Sequence, residues 1–261
     1  MQTYLEAAQK AARAAGKILK DNIAGKRDIS YKGEINMVTE MDRLSEKIVV
    51  ESLLGAFPGH GILAEEGSSV ESRSGFIWVI DPLDGTTNYA HGYPVFSVSI
   101  GLERDGQTVL GVVYDPMRDE LFTAIKGAGA FFNGQPISVS RNTVLIGSLL
   151  ATGFPYDRTT SRQNNLDLFS ALIMATQEVR RSGSASLDLC AVAAGRLDGY
   201  WELKLHPWDV AAGSLLVLEA GGRVSDFTGS RFSIHDKEII ASNGVIHDQM
   251  LEVIRSVQRD W

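Results

Sequence analysis

The pattern of apolar and polar positions changes character along the chain, and the changes mark its elements. The first 24 residues, rich in Ala, Lys and Glu, predict an amphipathic helix that Gly25 ends. Thr39 opens a second helical pattern that runs to about Phe57. It has Asp42 in its first turn and Leu44/Ile48 and Val49/Leu53 at four-residue spacing, and Phe57-Pro58-Gly59 stops it. From there the period changes. Residues 61–64 and 76–80 are short apolar runs that predict buried strands. Residues 96–102 and 108–114 flank Asp105-Gly106, residues 121–125 and 130–132 flank a Lys126-Gly127-Ala128-Gly129 turn, and Asn133-Gly134 closes the next hairpin. The middle of the chain therefore predicts an antiparallel sheet.

The second half alternates strand and helix. Strands are expected at 149–153, near Val179, at 197–203 and at 238–241, and helices at 160–176, 184–194, 208–220 and 245–257. The fold class is α/β (α+β), a layered αβαβα sandwich in which an antiparallel half (residues 1–142) precedes a mixed α/β half (143–261) within one compact unit. The functional site is expected in the cleft between the halves.

Composition narrows the chemistry. With 44% hydrophobic and 22% charged residues the chain has an ordinary globular profile, and its 261 residues can bury a real core. The formal net charge of −7 argues against nucleic acid as a partner, since phosphate backbones require Lys and Arg. An acidic protein that handled phosphate esters would need cations at its site. The single cysteine, Cys190, lies in an apolar helical run and reads as a core residue. The N-terminus has no continuous apolar segment of a signal peptide, and no run reaches the roughly 20 apolar residues of a membrane span, so a cytoplasmic location is expected.

Candidate chemistry gathers at three places. Asp81-Pro82-Leu83-Asp84-Gly85-Thr86-Thr87-Asn88 follows the apolar run 76–80. Carboxylates at the end of a buried strand are costly unless a cation meets them. Asp81 and Asp84, three apart across a proline-containing turn, can face one centre, while Gly85, Thr86 and Thr87 offer N–H groups and hydroxyls to a phosphate. A plain turn with Asp as a cap is the simpler alternative. Glu65-Glu66 ends the run 61–64 and by itself reads as a solvated loop. Asp209, in the first turn of an apolar helix after His206-Pro207-Trp208, by itself reads as a charge on the helix dipole. All these carboxylates stand where an apolar strand ends or an apolar helix begins, positions that converge on one edge of an α/β sheet. Together they make hard oxygen ligands suited to Mg²⁺ or Mn²⁺ rather than zinc. The Asp-x-Asp-Gly-Thr motif of haloacid-dehalogenase phosphatases does not fit, because Pro82 occupies the nucleophile position. His91 and His206 flank the motifs without an assigned role, and Trp201 and Trp208 read as core aromatics.

Glu65-Glu66, Asp81 to Asn88 and Trp208-Asp209-Val210-Ala211-Ala212-Gly213, in that order and spacing, resemble the inositol monophosphatase family. The helix start Val38-Thr39-Glu40-Met41-Asp42, the stretch Arg180 to Ala185 and Glu202 extend the resemblance over nearly the whole chain; Asn36, where an Asp is expected, departs from it. The resemblance implies a Mg²⁺-dependent, lithium-sensitive phosphomonoesterase, with two or three ions, that acts on myo-inositol monophosphate by direct attack of water. It implies that Glu65, Asp81 and the Leu83 carbonyl hold one ion and that Asp81, Asp84 and Asp209 hold another. Thr86, with Glu65 and Asp42, would orient the water, and the N–H groups of Gly85 and Thr86 would meet the phosphate. Arg180, Gly183, Ser184, Ala185 and Glu202 would contact the polyol beside Leu83, Asp84 and Asp209. It further implies a homodimer. Fructose 1,6-bisphosphate, histidinol phosphate and 3′-phosphoadenosine 5′-phosphate are alternative substrates on the same scaffold. A regulatory protein that binds a macromolecular partner is the alternative of another class.

Overall fold

A computed structural model describes residues 1–25, 29–31 and 37–258. In chain order α1 (Gln2–Asn22), β1 (Ile29–Tyr31), β2 (Met37–Thr39), α2 (Glu40–Ala56), β3 (Gly61–Ala64) and β4 (Ser69–Val70) come first. They are followed by β5 (Phe76–Asp84), α3 (Thr86–Ala90), β6 (Ser97–Arg104), β7 (Gln107–Asp115), β8 (Glu120–Ile125), β9 (Gly129–Phe132) and β10 (Gln135–Pro136). The rest comprises β11 (Leu149–Thr152), α4 (Leu166–Ala175), β12 (Glu178–Arg180), α5 (Ala185–Ala193), β13 (Gly199–Leu203), α6 (Pro207–Glu219), β14 (Arg223–Ser225), β15 (Glu238–Ser242) and α7 (His247–Gln258). Asn36 lies outside the described residues.

The strands form an eight-stranded sheet in the order β10-β9-β8-β7-β6-β5-β3-β4 and a five-stranded sheet in the order β12-β11-β13-β15-β14. The large sheet is buried on both faces, so each strand divides its apolar residues by the two-residue strand period. Trp78 and Ile80 of β5 join Val98, Ile100 and Leu102 of β6 in a core with α1 and α2, whereas Val79 belongs to the core around α5 and α6. A third core joins the small sheet to α4 and α7. The layers are thus α1/α2, large sheet, α5/α6, small sheet, α4/α7, the αβαβα sandwich expected from the sequence.

Three expectations need correction. The large sheet is not wholly antiparallel, because β3 runs parallel to β5, with Ala64 opposite Ile80. The helix expected at 160–176 begins only at Leu166, because Asn165 takes a left-handed conformation (φ 71°) and the residues before it turn. The short strands β4 and β14 were not expected; β4 is two exposed residues at a sheet edge.

Helix α6 reaches the large sheet closely because Gly101 and Gly111 are paired neighbours on β6 and β7. A Cβ on Gly101 would lie 2.8 Å from the Ala211 Cβ, and one on Gly111 would lie 2.8 Å from the Ala212 carbonyl oxygen. Gly213 gives the same clearance to Leu189 of α5. The Ala-Ala-Gly segment after Asp209 therefore fixes how far the start of α6 stands from the sheet.

His247, fully buried at the start of α7, is held between two hydroxyls. Gly244 N–H donates to Ser242 Oγ, which lies 2.8 Å from His247 Nδ1. On the other side Nε2 lies 2.9 Å from Ser225 Oγ, whose own proton goes to the Asp226 carbonyl. Nε2 therefore carries a proton, and in the neutral ring Nδ1 accepts from the Ser242 hydroxyl. Burial, and then Arg223, lower its pKa to about 4. Below about pH 6.5 the unfolded chain takes up a proton that the folded chain refuses. Stability should therefore fall by on the order of 3 kcal/mol as pH drops from 6.5 to 4. Urea midpoints across this range, compared with those of His247→Asn, check it; equal slopes in the two proteins would refute it.

Candidate active site

The site begins with an irregularity in β5. Asp81 pairs with Ser99 of β6 and Asp84 pairs with Ser97, so two residues, Pro82 and Leu83, oppose the single Val98. This is a β-bulge, and proline suits it because it has no N–H to donate to the ladder. In a regular strand, residues three apart face opposite sides. The extra residue turns Asp84 onto the same face as Asp81, toward α5 and α6. Both carboxylates face one centre as expected, by a bulge rather than by a turn.

The parallel pairing of β3 with β5 brings their carboxyl ends to one sheet edge, where Glu65 N–H donates to the Ile80 carbonyl at 3.2 Å. Asp209 arrives from the start of α6, its Oδ2 accepting from His206 N–H at 2.7 Å. Asp84 Oδ2 accepts from Ser184 Oγ at 2.6 Å, from Ser186 N–H at 2.8 Å and from the Ser186 hydroxyl, which ties the bulge to the start of α5. Glu65, Asp81, Leu83, Asp84 and Asp209 all line one cavity of about 780 Å³. Burial raises the pKa of Asp81 well above the usual carboxylate range, and Glu65, Asp84 and Asp209 add their repulsion. Burial likewise raises Asp209 and, against its serine donors, Asp84.

This all-oxygen set, sunk and mutually repelling, has the chemistry that a hard divalent cation requires. Among the described residues no three His, Cys, Asp or Glu side chains form a ready-made metal cluster. The four carboxylates stand around the cavity, three of them tied to neutral donors: Asp81 to Leu83 N–H at 3.0 Å, Asp84 and Asp209 as above.

Helix α2 holds this edge in place through a polar stripe that the sequence reading missed apart from Asp42. Asp42 accepts from Thr86 Oγ at 2.9 Å. Ser45 Oγ donates to the Pro82 carbonyl at 2.6 Å, and the Glu46 carboxylate accepts from the N–H groups of Glu66 (2.7 Å) and Ser68 (3.0 Å). All three are buried, in line with Val49 and Leu53 below them, whereas Leu44 is exposed. Their helical spacing was the available signal. Glu46→Ala should leave the fold intact but loosen the turn that carries Glu65. The Mg²⁺ concentration for half-maximal phosphate release should rise by about tenfold, with partial recovery in Glu46→Gln. An unchanged Mg²⁺ dependence would remove Glu46 from that role.

The other expected residues divide. Gly85, Gly183, Ser184, Ala185 and Glu202 line the same cavity, and Thr86 joins them. Gly85 takes φ 97°, and a Cβ there would meet the Val95 and Gly183 carbonyl oxygens at 3.0 and 3.2 Å. The Glu202 carboxylate rests on Gly153 and accepts from the Tyr200 hydroxyl. Burial lifts its pKa to about 7. Arg180 stands elsewhere: it pairs with Glu178 at 3.7 Å and lines a neighbouring cavity, while Arg181 borders the site. Trp201 is core as expected, but Trp208 stacks on His206 (4.9 Å between centroids) and both line the site. Tyr156 lines it as well and is half exposed; the desolvation it meets against the cavity wall, and then the charges of Glu65, Asp209 and Asp84, raise its pKa. Cys190 is buried in the core, and burial raises its thiol pKa.

Residues 1–259 match the family model described as inositol monophosphatase family. The chain belongs to the inositol monophosphatase family. It is 47% identical over 256 residues to the inositol-1-monophosphatase of Synechocystis, covering 97% of this chain and 89% of that protein. It is 45% identical over 262 residues to the Nus factor SuhB of Pseudomonas aeruginosa, covering 98% of this chain and 97% of that one. The solved inositol monophosphatase of Anabaena superposes with a TM-score of 0.90 at 46% identity, covering 100% of this chain and 99% of that one. Membership of the inositol monophosphatase family identifies an enzyme, a phosphatase, on a mixed α/β scaffold. Among the described residues no helix is long and apolar enough to cross a membrane.

Proposed function

We propose that this protein is a Mg²⁺-dependent phosphomonoesterase whose substrate is myo-inositol 1-phosphate. The observation that carries the reading is the convergence of Glu65, Asp81 and Asp84 at the end of the large sheet with Asp209 at the start of α6 on one cavity whose wall also presents Glu202 of the small sheet. Two or three Mg²⁺ ions, held by these four carboxylates and the Leu83 carbonyl, would supply positive charge that lowers the pKa of water and stabilises the departing alkoxide. The protein's own groups then position the reaction. The Thr86 hydroxyl gives its proton to Asp42 or to the Leu83 carbonyl, so its oxygen accepts from a water and turns a lone pair of that water toward phosphorus. The N–H groups of Gly85 and Thr86 bind the phosphate oxygens, for which the absent Cβ of Gly85 leaves room. Ser184 is committed to Asp84, so Gly183, Ser184 and Ala185 meet the polyol with main-chain atoms. Glu202 accepts hydrogen bonds from its hydroxyls.

Among the described residues the cavity lining holds seven carboxylates against two permanently charged basic side chains, Arg181 and Lys204. A second phosphate fits such a wall poorly, which favours a monophosphate over fructose 1,6-bisphosphate or 3′-phosphoadenosine 5′-phosphate; the Glu202 wall favours a polyhydroxylated alcohol over histidinol. The enzyme is expected to act in the cytoplasm as a homodimer. A panel of phosphate esters assayed with Mg²⁺, with and without Li⁺, tests the reading. Phosphate release should require Mg²⁺, stop in chelator, be inhibited by Li⁺ and rank myo-inositol 1-phosphate first by kcat/KM. If no small monoester releases phosphate with Mg²⁺, the reading fails. The likeness to a protein named as a Nus factor supports a second reading, a regulatory protein with a macromolecular partner. That partner's binding would survive substitution of the carboxylates.

A further inference from the structure

Among the described residues Arg181 and Lys204 are the permanent cations of the cavity wall, and they differ in one respect. Lys204 Nζ is bound to Asp157 at 2.6 Å and to Ser161 at 2.8 Å. In the adjoining cavity Arg118, Arg180 and Arg196 each pair with a carboxylate, Asp115, Glu178 and Glu120. Arg181 borders both cavities and, among the described residues, makes no salt bridge. Its place is nevertheless fixed. Asn88 Nδ2 donates to the Ser182 carbonyl at 2.9 Å, and Ser182 Oγ donates to the buried Asp188 at 2.7 Å. The guanidinium folds over Gly183, its Nη1 2.9 Å from where a Cβ would stand there. From that place its charge is felt by Glu202 and Asp188, the carboxylates at the polyol end of the site.

We propose that Arg181 is a specificity-determining residue that donates hydrogen bonds to the hydroxyls of the substrate beside those accepted by Glu202. A hydroxyl both donates and accepts, so an acceptor-only carboxylate and a donor-only guanidinium in one cavity wall read the hydroxyls of one substrate in complementary senses. The inference rests on the phosphatase reading and extends it to a residue that the sequence pattern did not single out, since the resemblance pointed to Arg180.

The test compares wild type with Arg181→Gln on myo-inositol 1-phosphate and on phenyl phosphate, which has no alcohol hydroxyls. KM for the inositol ester should rise about tenfold with kcat little changed, the loss of a charge-assisted hydrogen bond. Both constants for phenyl phosphate should stay as they are. Arg181→Lys should recover part of the KM, having a donor but no fork. Equal changes on the two esters, or none on either, overturn the proposal. A second measurement does not depend on turnover: calorimetry of myo-inositol in the presence of Mg²⁺ and inorganic phosphate should show weaker binding by Arg181→Gln. Equal dissociation constants, or no binding by either protein, also overturn it. Failure of wild type to hydrolyse any monoester would instead strike the phosphatase reading itself.

Discussion

Asp81→Asn should lose at least about a hundredfold in Mg²⁺-dependent kcat while the metal-free protein becomes more stable, not less. The amide can keep the hydrogen bond that Asp81 Oδ1 accepts from Leu83 N–H, so the bulge is preserved. What disappears is a charge that is almost wholly buried and faces Glu65, Asp84 and Asp209. Because the folded protein holds a proton on Asp81 more tightly than the unfolded chain does, ionisation costs stability as pH rises above the ordinary range of an Asp. In chelator the variant should therefore match wild type near pH 4 and exceed it progressively toward neutrality. If the relieved repulsion is on the order of 1 kcal/mol, Tm rises by roughly 2–4 °C. Mg²⁺ should reverse the order, since a ligand stabilises in proportion to its affinity for the folded form and wild type binds it better. Turnover close to wild type, or a lower Tm in chelator, would contradict the role given to Asp81. The expected trade is the usual one at a functional site: the chain keeps charges that weaken the fold because a cation needs them.

The sequence carried the elements well where periodicity was strong and less well where a single residue redirected the chain. The hairpins around Asp105-Gly106 and Asn133-Gly134 have turn residues with one structural meaning and were placed correctly. Helix α4 was overextended because Asn165 looks like an ordinary polar position, although its left-handed conformation sets the start. The carboxylates were found because each stands where an apolar strand ends or an apolar helix begins. How they are aimed was not legible: a bulge is a property of pairing, and the partner strand β6 is not visible from β5 alone. The polar stripe of α2 was missed for a related reason. Ser45 and Glu46 look solvent-facing until the bulge and the turn they bind are known; Asp42 alone was named. Arg180 and Arg181 are adjacent, and only the strand end and the turn at Gly183 decide which one borders the site.

Gly153→Ala should cost about ten- to a hundredfold in kcat/KM for myo-inositol 1-phosphate and leave phenyl phosphate nearly untouched, a loss of one to two charge-assisted hydrogen bonds. A Cβ at Gly153 would lie 2.1 Å from Glu202 Oε1 and 2.3 Å from its Cδ, so the carboxylate cannot keep its place. The backbone cannot readily yield instead. The Gly153 carbonyl accepts from Asn165 Nδ2 at 2.6 Å, the same amide group reaches the Thr152 hydroxyl at 2.8 Å, and Trp201 Nε1 donates to Asn165 Oδ1 at 2.8 Å. Thr152 Oγ in turn donates to the Trp201 carbonyl at 2.6 Å, locking β11 to β13 directly beside Glu202. The strain must therefore fall on the Glu202 side chain, which also leaves the Tyr200 hydroxyl without its acceptor. If Glu202 reads the polyol, discrimination between the two esters collapses while hydrolysis itself survives. If both esters lose activity together, the substitution has disturbed the metal edge instead. If neither does, Glu202 is not a substrate contact. Glu202→Gln should reproduce the loss of discrimination without the steric clash, which separates the missing acceptor from a displaced backbone.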